Sequence, residues 1–235
     1  MHAAAHFITG AAHGAVADDG DLAAPFARLY RKKAMPTPID YFFAPQSPWT
    51  YLGHARLARM AAAAGASVRV KPVDLGGKIF PISGGLPLAQ RPLQRQAYRL
   101  VELARFRDAL QMPLTIKPKF FPVPADDAAR LIIAVDQAQG SAAAMNIAGR
   151  VMAAVWVQER DIANPTTLAE LLVEAGLPAA LLAESKTAAV QVVYESHTQE
   201  AIAAGVFGAP SYVIEGEIFW GQDRLDFVER RLAQK

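Results

Sequence analysis

The spacing of apolar and polar residues changes rhythm repeatedly along the chain. Ile39 to Phe43 is a short β-prone run stopped by Pro45, and from Trp49 apolar residues recur at helical spacing to Ala64, where Gly65 supplies a C-terminal stop. Val68-Arg69-Val70-Lys71-Pro72-Val73 then alternates as a strand does. This strand, helix and strand predict a parallel pair with a right-handed crossover. Asp74 to Pro92, with Gly76-Gly77 and Gly84-Gly85, reads as a long loop. From Pro92 to Ala204 the rhythm is helical. It gives Gln94–Leu110 with an apolar stripe through Tyr98, Val101, Leu103 and Phe106, then Ala125–Gln139, Ser141–Glu159, Thr167–Ala175, Pro178–Ser185 and Thr187–Ala204. Thr166 and Thr167 after Pro165 mark one helix start, and Pro113 to Pro124 is an extended interruption containing Phe120-Phe121-Pro122. After Gly205 the period returns to two. Ser211–Ile214 and Glu217–Trp220 flank the hairpin signal Glu215-Gly216, and Asp223 is placed to cap a final helix running to about Leu232.

The order βαβ, many helices, ββα predicts an α/β protein of thioredoxin-like fold split by a large all-helical insertion. The expected organisation is a thioredoxin-like domain from 37–92 and 205–235 and an inserted helical domain over 93–204. Residues 1–36, rich in Ala, Gly and His, read as a poorly ordered N-terminal extension, within which Leu22 to Ala34 has the spacing of a short amphipathic helix.

The junction between the first strand and the first helix carries the candidate chemistry. Ser47 precedes Pro48, a residue suited to the first turn of a helix, so Ser47 is the expected N-cap. Its hydroxyl then sits among free backbone N–H groups at the positive end of the helix, where an anion such as a thiolate is stabilised. On spacing alone it is equally an ordinary cap.

Composition narrows the chemistry. The 235 residues are 52% hydrophobic and 20% charged, enough to bury a sizeable core. With 24 Lys and Arg against 22 Asp and Glu and no dense basic block, a nucleic-acid partner is not expected. There is no cysteine, which excludes disulfides, thiolate metal sites and dithiol redox chemistry by the protein itself. No apolar stretch reaches the length of a membrane span and the first residues lack the form of a secretory signal, so a cytoplasmic protein is expected. His2, His6 and His13 fall in the extension, and His54 and His197 lie far apart in sequence. No metal spacing or catalytic triad emerges from them, and no metal is expected.

Taken jointly, five segments resemble the 2-hydroxychromene-2-carboxylate isomerase and kappa-class glutathione transferase family, relatives of the DsbA oxidoreductases. They are Ser47-Pro48-Trp49-Thr50-Tyr51-Leu52 after the first strand, Pro72-Val73-Asp74-Leu75-Gly76-Gly77, Phe120-Phe121-Pro122, and Gly205-Val206-Phe207-Gly208-Ala209-Pro210 with Phe219-Trp220-Gly221-Gln222-Asp223-Arg224. The resemblance spans nearly everything from Thr37 onward. It implies glutathione as cofactor, Ser47 as the catalytic residue that activates its thiol, and a cis Ala209-Pro210 bond whose Ala209 backbone pairs with the cysteinyl part. It further implies that Gln222 and Asp223 receive the γ-glutamyl end. The family's Lys and Asn in the long loop are absent, leaving Arg95 or Lys78 to meet the glycyl carboxylate. Trp49 is a candidate wall for an aromatic substrate. A homodimer is also implied. The activity implied is glutathione-dependent cis–trans isomerisation of a 2-hydroxychromene-2-carboxylate-type acid in aromatic hydrocarbon degradation. A kappa-like glutathione transferase and a non-catalytic thioredoxin-fold binding module remain open alternatives.

Overall fold

A computed structural model describes residues 37–234. The proposed N-terminal extension and its short helix lie outside them. β1 (Pro38–Phe43), α1 (Pro48–Ala64) and β2 (Ser67–Pro72) form the expected unit, with β1 and β2 parallel and Tyr41 opposite Val70. β3 (Ser211–Ile214) runs antiparallel to β1, and β4 (Glu217–Trp220) returns along β3 through Glu215 and Gly216, both at positive φ as a tight hairpin requires. The mixed sheet has the order β2-β1-β3-β4.

β1 is almost wholly apolar because both its faces are covered. The period of two sends Ile39, Tyr41 and Phe43 into the larger core and Phe42 into a smaller one with Val73, Ile79, Ala201, Val206 and Val213. The helices following β2 are α2 (Phe80–Ser83), α3 (Leu93–Leu110), α4 (Asp126–Gln139), α5 (Ser141–Trp156), α6 (Pro165–Glu174), α7 (Leu181–Glu184) and α8 (Ala188–Ala203), and α9 (Leu225–Ala233) closes the chain. The larger core is continuous from the sheet into these helices: Tyr41 and Leu52 belong to the same cluster as Ile132, Val151 and Trp156.

Several expectations need correction. The stretch from Asp74 to Pro92 is not an unstructured loop. The Asp74 side chain accepts from the Gly77 N–H at 2.7 Å and starts a wide turn over Leu75–Ile79, which passes into α2. α5 ends at Trp156, not Glu159, because the backbone leaves the helical region at Val157, with φ −125°, and Glu159 beyond it adopts a left-handed φ of 52°. α6 begins at Pro165 under an Asn164 cap instead of at Thr167, its side chain accepting from the Thr166 N–H at 2.9 Å. α7 is a single turn. Asp223 is not the N-cap of the last helix: it sits in a 3₁₀ turn, Gln222–Arg224, and α9 starts at Leu225 without a side-chain cap. Finally, α3 buries a different stripe from the expected one. Tyr98 and Val101 are 57% and 46% exposed, while Arg99 and Leu103 are buried, with Phe106 and Leu110 packed behind them. That face, at 99, 103, 106 and 110, has the correct helical period but carries an arginine at one position.

Candidate functional site

Chain direction gathers the candidate residues at one end of the sheet. β1 and β2 both finish there, and Phe43 O accepts from the Val73 N–H at 2.9 Å. β3 begins there, since its pairing with β1 ends at Phe42 opposite Ser211, leaving Ala209 and Pro210 just beyond the ladder. β4 finishes there too. The Gly221 N–H donates to Pro210 O at 2.8 Å and ties the Gly221-Gln222-Asp223 turn to the proline.

Ser47 caps α1 as expected. Its backbone is extended, at φ −75° and ψ 127°, and its Oγ accepts from the Thr50 N–H at 3.4 Å. A cap consumes a lone pair of the hydroxyl and not its proton, so the O–H of this half-buried serine remains a donor at the positive end of a long helix. Gln46, just before it, is fixed from the helical side: the Trp156 Nε1–H donates to Gln46 O at 3.2 Å. Trp156 is itself held by packing against Phe121, at 4.8 Å between ring centroids, and by its carbonyl accepting from the Thr115 N–H at 2.7 Å.

The Ala209-Pro210 bond is cis, as the family resemblance implied, and Phe121-Pro122 is a second cis bond that the sequence reading missed. Gly208 is required beside the first. A Cβ there would lie 2.4 Å from Trp220 Nε1, because the Trp220 ring stacks edge-on to Phe207 directly over the glycine. Gln222 is 1% exposed, wedged against α1 where a Cβ on Gly53 would fall 2.9 Å from its own Cβ. Its side-chain amide has no hydrogen-bond partner among the described residues, and its backbone carbonyl accepts from Arg56 Nη1 at 3.4 Å. Asp223 is exposed and pairs with Arg224 at 2.7 Å. Arg95 and Lys78 are exposed, and Arg91 lies close enough to Arg95 for its pKa to be lowered, first by its own burial and then by that charge. Trp49 stands edge-on to Phe106 with centroids 6.0 Å apart, which makes it part of the α1–α3 contact.

His54 is structural. Its Nε2 lies 2.8 Å from Met145 O, an obligate acceptor, so Nε2 carries the hydrogen and Nδ1 receives the Tyr41 hydroxyl at 3.2 Å. Burial lowers its pKa and keeps the ring neutral. Gln46, Arg99 and Trp156 were not singled out from sequence. For Trp156 the only signal was its place at the end of an apolar helix, and for Arg99 its spacing of four from both Arg95 and Leu103.

The sequence profile of DSBA-like thioredoxin domains matches residues 38–233. A 2-hydroxychromene-2-carboxylate isomerase of Sphingobium xenophagum is 29% identical over 197 residues, 83% of this chain and 97% of that one. Glutathione S-transferase kappa 1 of Rattus norvegicus is 25% identical over 212 residues, 85% of this chain and 92% of the relative. Among solved structures, a 2-hydroxychromene-2-carboxylate isomerase superposes with a TM-score of 0.71 at 24% identity, over 84% of this chain and 95% of that chain.

Proposed function

The chain belongs to the DSBA-like thioredoxin-domain family, and from that premise we propose that it is a glutathione-dependent cis–trans isomerase of the 2-hydroxychromene-2-carboxylate type. The observation that carries this reading is a serine hydroxyl, in a chain without cysteine, capping α1 at the sheet end where the cis Ala209-Pro210 edge begins. A fold with no thiol of its own needs one brought to that helix end. The name of the kappa-class relative, a glutathione S-transferase, supports that ligand, and the name of the isomerase relative supports the reaction.

The residues present fit glutathione. The Ala209 backbone beyond the β3 ladder suits the cysteinyl part, the exposed Asp223 carboxylate, positioned by the turn through buried Gln222, suits the γ-glutamyl end, and Arg95 suits the glycyl carboxylate. Bound glutathione would supply a thiolate that adds to the double bond conjugated with a keto acid, allows rotation, and leaves. Ser47 donates its hydroxyl proton toward the sulfur and, with the positive end of the α1 dipole, favours the thiolate over the thiol. The indole of Trp156 holds Gln46, and hence the entry into the cap, against movement.

The test is a thermal-shift titration with glutathione followed by a spectrophotometric assay of the chromene acid. A glutathione-dependent rise in melting temperature and thiol-dependent turnover are expected. Turnover of a chlorodinitrobenzene-type electrophile in place of the acid would favour the transferase, and no shift with no turnover would leave a binding module.

A further inference from the structure

Arg99 is a buried cation without a counter-charge. It is 8% exposed, its Nη2 is buried without a hydrogen-bond partner, and no carboxylate pairs with it among the described residues. Three other part-buried arginines each meet a carboxylate: Arg160 bridges Glu170 and Glu174, Arg130 meets Asp127, and Arg56 meets Asp226. What surrounds Arg99 is aromatic. Its guanidinium carbon lies 5.0 Å from the Phe121 ring centre and 5.9 Å from that of Trp156. These rings face the guanidinium but give it no anion, and burial together with the charge of Arg91 lowers its pKa to about 10.

An unpaired buried charge is costly to keep, and groups of this kind concentrate at functional sites. Arg99 also lies beside the candidate site: Trp156, which it faces, holds Gln46, the residue before Ser47. Phe121 additionally lines a cleft of about 430 Å³ with Phe120, Pro122 and Asp161.

We propose that Arg99 is the anion-binding residue of this site, and that it receives the carboxylate of a flat conjugated or aromatic acid lying against Phe121, while the fully buried Trp156 backs the guanidinium. The fork of a guanidinium matches a carboxylate in plane, and the flat Phe121 ring selects a planar body. The exposed Arg95, one helical turn earlier, is left for the glycyl carboxylate of glutathione, so the two acids have separate cations. The assignment rests on the proposed site for its location beside the thiol, but the contact between Arg99 and the acid needs no thiol.

Calorimetry on the full chain tests it with trans-cinnamate and its neutral isostere cinnamamide, with and without glutathione. The wild type is expected to bind cinnamate at least tenfold more tightly than the amide. Arg99→Met, which fills the same space, should bring the two within about twofold, and Arg99→Lys should retain part of the preference. The melting temperature of Arg99→Met should be unchanged or higher, since a buried unpaired charge is removed. Equal binding of acid and amide by the wild type, or an undiminished preference in folded Arg99→Met, overturns the proposal. It is also overturned if Arg99→Met loses affinity for glutathione and keeps its preference for cinnamate, because Arg99 would then serve the thiol. Acid preference in a protein that binds no glutathione would leave Arg99 assigned and remove the glutathione reading instead.

Discussion

Ser47 and Thr187 begin α1 and α8 in the same way. Each is extended, and each side-chain oxygen accepts from the N–H three residues on at 3.4 Å. They differ in what happens to the hydroxyl proton. Thr187 donates it to Glu184 O at 2.8 Å on an exposed surface, whereas Ser47 makes no such bond among the described residues and sits half-buried where the sheet strands end. A helix cap is therefore only half a description of a serine; the other half is where its proton is free to go.

The comparison breaks most sharply in activity. Ser47→Ala should lower thiol-dependent turnover at least a hundredfold, while Thr187→Ala leaves it unchanged. A Ser47→Ala enzyme within a few-fold of wild type would make the two caps equivalent. Ser47→Cys sharpens the same point: under oxidised glutathione it should form a mixed disulfide detectable by intact mass, because the new sulfur would lie where the thiol is received. Next in size is Asp223→Asn, expected to raise the KM for glutathione about tenfold, the usual loss with a charge-assisted hydrogen bond. It should leave the melting temperature unchanged, since the exposed Asp223–Arg224 pair contributes little to stability.

The smallest effects are on stability. Both cap deletions should cost about 1 kcal/mol in denaturant unfolding, since the cap is shared and the further bond that Thr187 gives Glu184 O lies on an exposed surface. A pH term belongs to neither cap. Burial, followed by Glu200 and Asp40 acting upward and Lys71 downward, holds His197 at about 4 against its ordinary 6.5. The unfolded chain takes up this proton first, so the contribution is complete above pH 6.5 and is lost as the pH falls toward 4. Unfolding at pH 5 against pH 7 should show a loss on the order of 1 kcal/mol that His197→Gln removes.

Much of this molecule is legible along the chain. The βαβ start, the hairpin at Glu215-Gly216 and the Ser47 cap all rest on local rules of period, turn residues and caps, which act over a few residues, whereas the cis Ala209-Pro210 bond was legible only through the family resemblance. The same locality misled in α3. There the chain offers Tyr98 and Val101 as apolar neighbours, yet the packed face runs through Arg99 and Leu103.

The sequence by itself determined the strands, the helices, the absence of a thiol and the position of a serine at a helix start. Tertiary structure alone decided which side of α3 turns inward and that an arginine lies against Phe121 and Trp156. It also decided that Trp156, 110 residues beyond Gln46, reaches back to hold its carbonyl. The physical reason is range. Period and capping are set by neighbours within one or two turns, whereas burial of a charge and the pairing of an indole with a distant carbonyl depend on which surfaces the whole chain brings into contact.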